Sequence, residues 1–171
     1  MSVNALQLVR AYAAIASGGI LYPVSTMRRT TPPTGVRVMS EPTANAVTLM
    51  LERVVTSGTG KAAQVYGYRV GGKTGTVYKN SETGYSEDQY RSLFAGFMPL
   101  TAPRIAAVVV IDGPHGKEHF GGLVAAPVFG AVMLDAARIL NLPADALGGP
   151  EQKGVRLAAQ PAVPPPSTRL Q

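Results

Sequence analysis

The chain opens with apolar residues at helical spacing. Four of them recur three or four positions apart and predict an amphipathic helix: Leu6, Val9, Ala13 and Ala16. Asn4 can cap the first turn of this helix, and Gln7 can complete a capping box with it. Gly18-Gly19 ends the helix, and a short strand over residues 20–24 is predicted to follow.

Two further helices are predicted downstream. Ser40 caps the second helix, Pro42 lies in its first turn, where a missing N–H costs little, and Gly58 ends it. Five apolar residues form its predicted buried face: Val47, Met50, Leu51, Val54 and Val55. The last helix is predicted over residues 126–141, with Pro127 near its start.

Three strands are predicted between these two helices. Residues 70–77 form a glycine-rich extended stretch, and residues 91–98 and 104–111 are apolar runs bounded by proline or glycine. The continuous apolar run 105–111 predicts a strand that is covered on both faces. Residues 78–89 are polar and predict a long loop.

The first of these strands contains a cation and two hydroxyls in Lys73-Thr74-Gly75-Thr76. Because side chains alternate between the faces of a strand, Thr74, Thr76 and Tyr78 are predicted to share one face and Lys73 to take the other. Gly75 leaves a bare backbone step between the two hydroxyls, where the backbone of a ligand can approach closely.

Composition narrows the class of protein. The 171 residues fit one domain or a large part of one, and the 46% apolar content is enough for a core. The net charge of +6 is dispersed, without the basic stripe typical of nucleic-acid binding. The absence of cysteine excludes disulfides and cysteine-ligated metals. We predict neither a signal peptide nor a membrane span, which needs about 18 consecutive apolar residues.

Residues 67–74 match the phosphate-binding pattern G-x-x-x-x-G-K-[ST], and residues 108–112 are apolar residues followed by an aspartate. That mechanism needs a helix beginning at Lys73-Thr74, so that backbone N–H groups face the phosphates. Gly75 and the β-branched residues after it form a poor first turn of a helix. Nucleotide binding is therefore the less favoured alternative.

His115 and His119 are four residues apart, a spacing that suits a metal site on one helix face. Pro114 and Gly116 instead predict a loop, and the sequence offers no third ligand at a suitable spacing. We predict no metal and no cofactor.

The order of motifs is similar to that of a known family. The Lys-Thr-Gly-Thr strand is followed by Tyr-Arg-Ser-Leu-Phe-Ala-Gly-Phe over residues 90–97, a valine-rich strand, Phe-Gly-Gly and an Ala-Ala-Pro-Val-Phe helix. Over residues 2–143 the chain resembles the C-terminal part of the transpeptidase domain of class B penicillin-binding proteins, with the division-type enzymes closest. The resemblance implies an α+β fold, an antiparallel sheet flanked by helices, as a partial penicillin-binding or serine β-lactamase-like domain.

The resemblance also implies roles for individual residues. Lys73 would assist proton transfer and attract the terminal carboxylate of a D-Ala-D-Ala stem peptide or of a β-lactam. Thr74 and Thr76 would bind that carboxylate, and the N–H of Thr76 would form half of an oxyanion hole. The implied substrate-binding residues are Thr74, Gly75, Thr76, Tyr78, Tyr90, His119 and Phe120.

One part of the family pattern is missing. Ser-x-x-Lys does not occur in the sequence, and Ser2-Val3-Asn4, which spells Ser-x-Asn, lies at a helix start with Asn4 as its cap. The nucleophile is therefore expected upstream, and the chain alone is expected to be inactive, because covalent catalysis needs a nucleophile. A non-catalytic module that binds cell-wall peptides is the alternative.

Several expectations follow for organisation and partners. Residues 144–171 are rich in Pro, Ala and Gly and are predicted to be a flexible tail after the domain of residues 1–143. We expect the partial sheet either to self-associate or to pair with the missing upstream half, since it leaves an uncovered face or edge. The resemblance further implies the periplasmic face of the cytoplasmic membrane as location, and other division proteins as partners.

Overall fold

The computed structural model describes residues 3–81, 84–114 and 118–146, with the backbone alone for 80–81 and 84–89. A short 3-10 turn at Lys61–Ala63 follows the second helix. The main elements in chain order are α1 (Ala5–Ala16), β1 (Ile20–Leu21), β2 (Val36–Arg37), α2 (Glu41–Thr56), β3 (Gly71–Ser81), β4 (Gly84–Met98), β5 (Ile105–Asp112) and α3 (Gly121–Ile139).

The main sheet has three antiparallel strands in the order β3-β4-β5, and β1 pairs with β2 in a separate small sheet. Phe94 of β4 lies opposite Thr74 of β3 and Val109 of β5. Thr76 lies directly opposite Ser92. The expected fold class, an α+β arrangement with an antiparallel sheet flanked by helices, is confirmed.

The core lies between the sheet and α3. Phe94 packs against Phe129 of α3 with ring centroids 4.7 Å apart. Since side chains alternate along a strand, the even-numbered residues of β3 and β4 share the Phe94 face. The fully buried large side chains are Phe94, Phe97, Met98, Phe129, Met133 and Val55.

The other face of the sheet contacts α1 and is more open. A cavity of about 340 Å³ lies between α1, the segment after β1, and β5. Its lining is Leu6, Val9, Arg10, Ala13, Tyr22, Pro23, Val24 and Ala106. The predicted apolar stripe of α1 therefore faces an open cavity, and Leu6 is 56% exposed.

The predicted helix ends of α1 and α2 are confirmed. Asn4 and Gln7 form the reciprocal capping box, with bonds of 2.8 and 2.9 Å. Gly18 and Gly19 follow with φ of 66° and 89°, a left-handed conformation that costs glycine little. The side chain of Ser40 accepts the Thr43 N–H at the start of α2.

Two predicted boundaries are wrong. The loop predicted over residues 78–89 is mostly strand, since β3 continues to Ser81 and β4 begins at Gly84. The prediction rested on the polar composition of this stretch, but the backbone hydrogen bonds that pair the two strands of a hairpin do not depend on apolar side chains. The last helix begins at Gly121, five residues before its predicted start, and Pro127 lies inside it.

Two predictions of burial are also wrong. Met50 of the predicted α2 face is 65% exposed, whereas Ala44 and Val55 are buried. The apolar run of β5 is not covered on both faces, because Val110 is 41% exposed. These apolar residues face surfaces that the described part of the chain leaves open.

The length and composition of α3 alone would suit a membrane span, with a mean hydropathy of 1.6. One face of α3 packs on the sheet as part of the core, whereas Leu123, Val132 and Ile139 on its other side are exposed. After α3, Asp145 bonds back to the body of the domain. Its carboxylate accepts the N–H groups of Arg69 (2.7 Å) and Thr101 (3.0 Å). Of the predicted tail, residues 147–171 lie outside the described residues.

Candidate active site

Lys73 and Thr74 meet at the outer edge of β3. The Lys73 ammonium donates to the Thr74 carbonyl oxygen at 2.9 Å and to its Oγ1 at 3.1 Å. A third residue joins them, because the hydroxyls of Thr59 and Thr74 are 2.9 Å apart. The ammonium and two hydroxyls therefore form one connected group at an exposed strand edge.

The backbone of β3 indicates which groups face outward. In an antiparallel pair, alternate residues direct both N–H and C=O toward the partner strand. The Thr74 carbonyl accepts from the Lys73 side chain, which indicates that it faces away from β4. By the same alternation the N–H of Thr76 faces this free edge. The edge thus combines a cation, hydroxyls and a backbone donor, all of which suit an anionic ligand.

Thr76 also anchors the first turn of α3. Its Oγ1 accepts the N–H of Gly121 at 3.0 Å. Gly121 needs to be glycine, because a Cβ there would lie 2.5 Å from the carbonyl oxygens of Gly75 and Leu93. The helix therefore begins in direct contact with the backbone of β3 and β4.

The structure gives a different reason for the glycine at position 75 from the one expected. A Cβ on Gly75 would lie 2.9 Å from the Leu93 side chain, so the open side of Gly75 is filled by Leu93. The missing side chain at Gly75 thus makes room for the Leu93 side chain of the neighbouring strand. Access for a ligand backbone at Gly75 stays a prediction.

Four aromatic rings form a row next to Thr76, and we call them the aromatic row. Tyr78 contacts Tyr90 at 5.0 Å between centroids, and Tyr90 stacks on His119 at 4.0 Å and 17°. His119 contacts Phe120 at 4.4 Å, and Phe120 is 56% exposed. The structure thus brings together all four aromatic candidates from the sequence, as one wall beside the β3 edge.

Two residues of this region were missed by the sequence analysis. Thr59 lies in a Ser-Gly-Thr-Gly loop, where a threonine is ordinarily a solvated turn residue. Ser92 lies within an apolar strand, where its hydroxyl is 0% exposed and donates to the His119 carbonyl. A polar residue at a core position in a strand next to a candidate site is a signal that could have identified Ser92.

Within each of two groups away from the edge, charged residues are paired with each other. The carboxylate of Asp112 contacts Lys79 at 2.9 Å and Arg91 at 3.3 Å, and these hydrogen bonds, Lys79 first, lower the pKa of Asp112. Arg69 and Glu52 form a two-pronged ion pair at 2.7 Å, and this hydrogen bonding raises the pKa of Arg69. The Asp112 and Arg69 ion pairs therefore link neighbouring elements of the domain and do not involve Lys73.

The structure also bears on the two alternatives from the sequence, the phosphate-binding motif and the histidine metal site. The helix that the phosphate-binding motif requires does not begin at Lys73-Thr74, because both residues lie inside β3. Of the two histidines, His115 lies outside the described residues and His119 is part of the aromatic row. Within residues 3–81, 84–114 and 118–146, no group of three or more His, Cys, Asp or Glu side chains could hold a metal ion.

Curated relatives match most of this chain but only a part of their own length. Peptidoglycan D,D-transpeptidase FtsI of Escherichia coli (strain K12) is 41% identical over 148 residues, which cover 86% of this chain and 25% of that protein. Stage V sporulation protein D of Bacillus subtilis (strain 168) is 40% identical over 148 residues, covering 80% and 23%. The chain thus spans about a quarter of the length of these relatives.

Solved structures share the fold. The apo structure of the TP domain from Burkholderia pseudomallei penicillin-binding protein 3 matches with a TM-score of 0.76 and 48% identity, over 84% of this chain and 44% of that one. A peptidoglycan glycosyltransferase from Burkholderia ambifaria matches with a TM-score of 0.71 and 41% identity, over 84% and 42%. A family model, the penicillin binding protein transpeptidase domain, matches residues 1–134. This chain therefore belongs to the penicillin-binding protein transpeptidase domain family.

Proposed function

We propose that this chain is the C-terminal portion of a peptidoglycan D,D-transpeptidase that cross-links stem peptides by serine acyl transfer and is acylated by β-lactams. The observation that carries the proposal is the edge of β3, where the Lys73 ammonium bonds to Thr74 beside the hydroxyl of Thr76. The relatives named as D,D-transpeptidases support it, since they cover most of this chain.

Binding at this edge follows from the inventory of donors. A carboxylate can only accept hydrogen bonds, whereas an ammonium can only donate them. Thr76 Oγ1 accepts the Gly121 N–H, so its own proton remains available for a ligand. The terminal carboxylate of a D-Ala-D-Ala peptide, or of a β-lactam, would therefore lie between Lys73, Thr74 and Thr76. The aromatic row would form one wall of the cleft.

Acyl transfer would proceed with a serine from outside this chain. The serine oxygen attacks the carbonyl carbon of the penultimate D-Ala, and its proton passes to a neighbouring base. The N–H of Thr76 would stabilise the resulting oxyanion as one of two donors. The C–N bond then breaks, and the terminal D-Ala leaves with that proton. The amine of a second peptide next attacks the acyl-serine ester, a new C–N bond forms as the C–O bond to serine breaks, and the amine proton passes through the base to restore the serine hydroxyl.

The test is labelling with a fluorescent penicillin. We expect the whole transpeptidase to be labelled covalently, and this chain alone to remain unlabelled. Lys73→Ala or Thr76→Ala in the whole protein should slow acylation about 10²-fold, as for the loss of a positioned electrostatic group. Lys61→Ala, an exposed lysine of the 3-10 turn, is the matched control and should leave the rate unchanged.

Two results would count against this proposal. Near-normal acylation of both the Lys73 and Thr76 variants would remove these residues from the site. A whole protein that binds stem peptides without ever being labelled would indicate the non-catalytic binding module instead.

The partner of this chain would be the upstream half of the same domain. The solved TP domain is more than twice as long as the part that this chain covers, which supports a missing half. Leu123, Val132 and Ile139 on the outer side of α3 are exposed apolar residues, and such surfaces tend to be covered. We expect the isolated chain to self-associate, which a size-exclusion mass measurement tests. A clean, well-folded monomer would contradict this.

The location would follow from the substrate. Peptidoglycan cross-linking takes place outside the cytoplasmic membrane, so the whole protein would act at its periplasmic face, with its anchor on sequence outside this chain. Contacts with other division proteins would likewise belong to the whole protein. Fractionation of cells that express the tagged whole protein would test the location, and recovery in the soluble cytosol would contradict it.

A further inference from the structure

Ser92 is the buried polar residue that the proposed chemistry does not use. Its side chain is 0% exposed, and among the described residues it is the one polar or charged side chain that is buried in the core. A buried hydroxyl is costly unless it is hydrogen-bonded, and this hydroxyl donates to the carbonyl of His119. An alanine would fill the same position in the strand without this cost.

The position of Ser92 relates it to the β3 edge. Ser92 lies directly opposite Thr76 in the antiparallel register, on the same face of the sheet. Thr76 accepts the N–H of Gly121, two residues after the carbonyl that Ser92 binds. The hydroxyls of Ser92 and Thr76 thus hold the two ends of the 119–121 turn.

We propose that Ser92 is a positioning residue for carboxylate binding, an inference that rests on the proposed function of the β3 edge. By fixing the His119 carbonyl, Ser92 keeps the Gly121 N–H on Thr76 Oγ1. Thr76 Oγ1 then accepts the Gly121 N–H on the side away from the ligand, and its single hydroxyl proton is directed toward the ligand. The same bond keeps the His119 ring stacked on Tyr90 at 4.0 Å.

The direction of the hydrogen bonds at Thr76 explains why the contact with Gly121 affects ligand binding. A hydroxyl has one proton and two acceptor lone pairs, and its rotor turns freely unless a partner fixes it. Without the Gly121 N–H, the proton of Thr76 can turn to a backbone carbonyl and be lost to the ligand. We expect a reduction in acylation of about five- to tenfold, the factor that one neutral hydrogen bond supports.

The experiment is a double-mutant cycle on the whole transpeptidase domain. The second-order rate of acylation by a fluorescent penicillin is measured for wild type, Ser92→Ala, Thr76→Val and the double variant. If Ser92 acts through Thr76, the loss of about five- to tenfold in the wild-type background shrinks to less than about twofold in the Thr76→Val background. Independent, multiplicative effects would overturn the proposal.

A matched control separates this role from general stability. Thr48→Val removes a hydroxyl that also donates to a backbone carbonyl, that of Ala44 at 2.9 Å within α2, and should leave the acylation rate unchanged. A penicillin methyl ester, which lacks the carboxylate, should acylate wild type and Ser92→Ala at the same slow rate. A loss on the ester equal to that on the acid would also overturn the proposal.

A second measurement does not depend on activity. Hydrogen exchange of the Gly121 amide should be faster in Ser92→Ala than in wild type, and equal exchange would refute the link. If Ser92→Ala does not fold, Gly121→Ala, which displaces the same turn, takes its place in the cycle. A wild-type protein that is never acylated would refute the proposed function, while the Gly121 exchange would still test the link between Ser92 and the turn.

Discussion

The contact between α3 and the sheet leads to a quantitative prediction for Gly121→Ala. The new Cβ would lie 2.5 Å from two backbone oxygens, of Gly75 and Leu93, where ordinary contact begins at 3.4 Å. The shortfall is 3.4 − 2.5 = 0.9 Å. Both oxygens belong to paired strands of the main sheet, so the start of α3 has to move by about that distance.

Such a movement affects both stability and the site. Overpacking of this kind costs about 1–3 kcal/mol in the free energy of unfolding. A shift of about 0.9 Å would also lengthen the 3.0 Å bond from Gly121 to Thr76 Oγ1 past hydrogen-bonding distance. We therefore expect the whole domain to lose about 1–3 kcal/mol and to be acylated more slowly.

The same helix provides a matched control in Gly130→Ala. The nearest atoms to a Cβ at Gly130 are the carbonyl oxygens of Ala62 at 3.3 Å and Gln64 at 3.4 Å, so the neighbours need to move very little. Alanine is favoured over glycine inside a helix by about 1 kcal/mol, and this variant should be neutral or slightly more stable. Urea unfolding of the whole domain measures the free energy of unfolding of both glycine variants. A Gly121→Ala variant as stable as Gly130→Ala would refute the steric argument.

Three further predictions concern single side chains of the whole domain. Thr59→Val removes the hydroxyl 2.9 Å from Thr74 and should slow acylation by about three- to tenfold without changing the melting temperature; an unchanged rate would exclude Thr59 from the site. Phe129→Ala should lower the free energy of unfolding in urea by about 3–5 kcal/mol, because a fully buried ring is lost, and a cost below about 1 kcal/mol would contradict the assigned core. The folded pKa of Asp112 lies below the ordinary value of 3.8, so its stabilising effect is present above that pH and is lost as the pH falls through the folded pKa. The difference in urea midpoint between Asp112→Asn and wild type should therefore be largest near pH 6 and shrink as the pH falls below 3.8, and a constant difference would contradict this.

Local chemistry was enough to predict the starts of α1 and α2 and the strand that contains the site. Asn4 with Gln7, and Ser40, act within four residues of themselves, so their capping roles can be predicted from sequence. The alternation that separates Thr74 and Thr76 from Lys73 is likewise a property of any strand. What alternation did not predict is that the long Lys73 side chain returns to Thr74 at the strand edge.

The features that could not be predicted depend on contacts distant in sequence. The helix α3 begins at Gly121 because its first turn lies on the backbone of β3, about 45 residues earlier. Two successive glycines favour a loop by propensity, and only the close approach of the strand explains them as a helix start. The role of Ser92 depends in the same way on His119, which sequence spacing cannot place.

The two outer strands of the sheet differ in a way that predicts where the proposed upstream half would attach. The β3 edge carries the ammonium of Lys73, and a charged side chain on an edge discourages the addition of another strand. From Ile105 to Ile111 the β5 edge carries only apolar side chains, beside the open cavity of about 340 Å³. An added strand should therefore pair with β5 and leave the β3 edge open for a ligand. Hydrogen exchange tests this, since adding the upstream half to this chain should slow exchange in β5 more than in β3, and stronger protection of β3 would refute it.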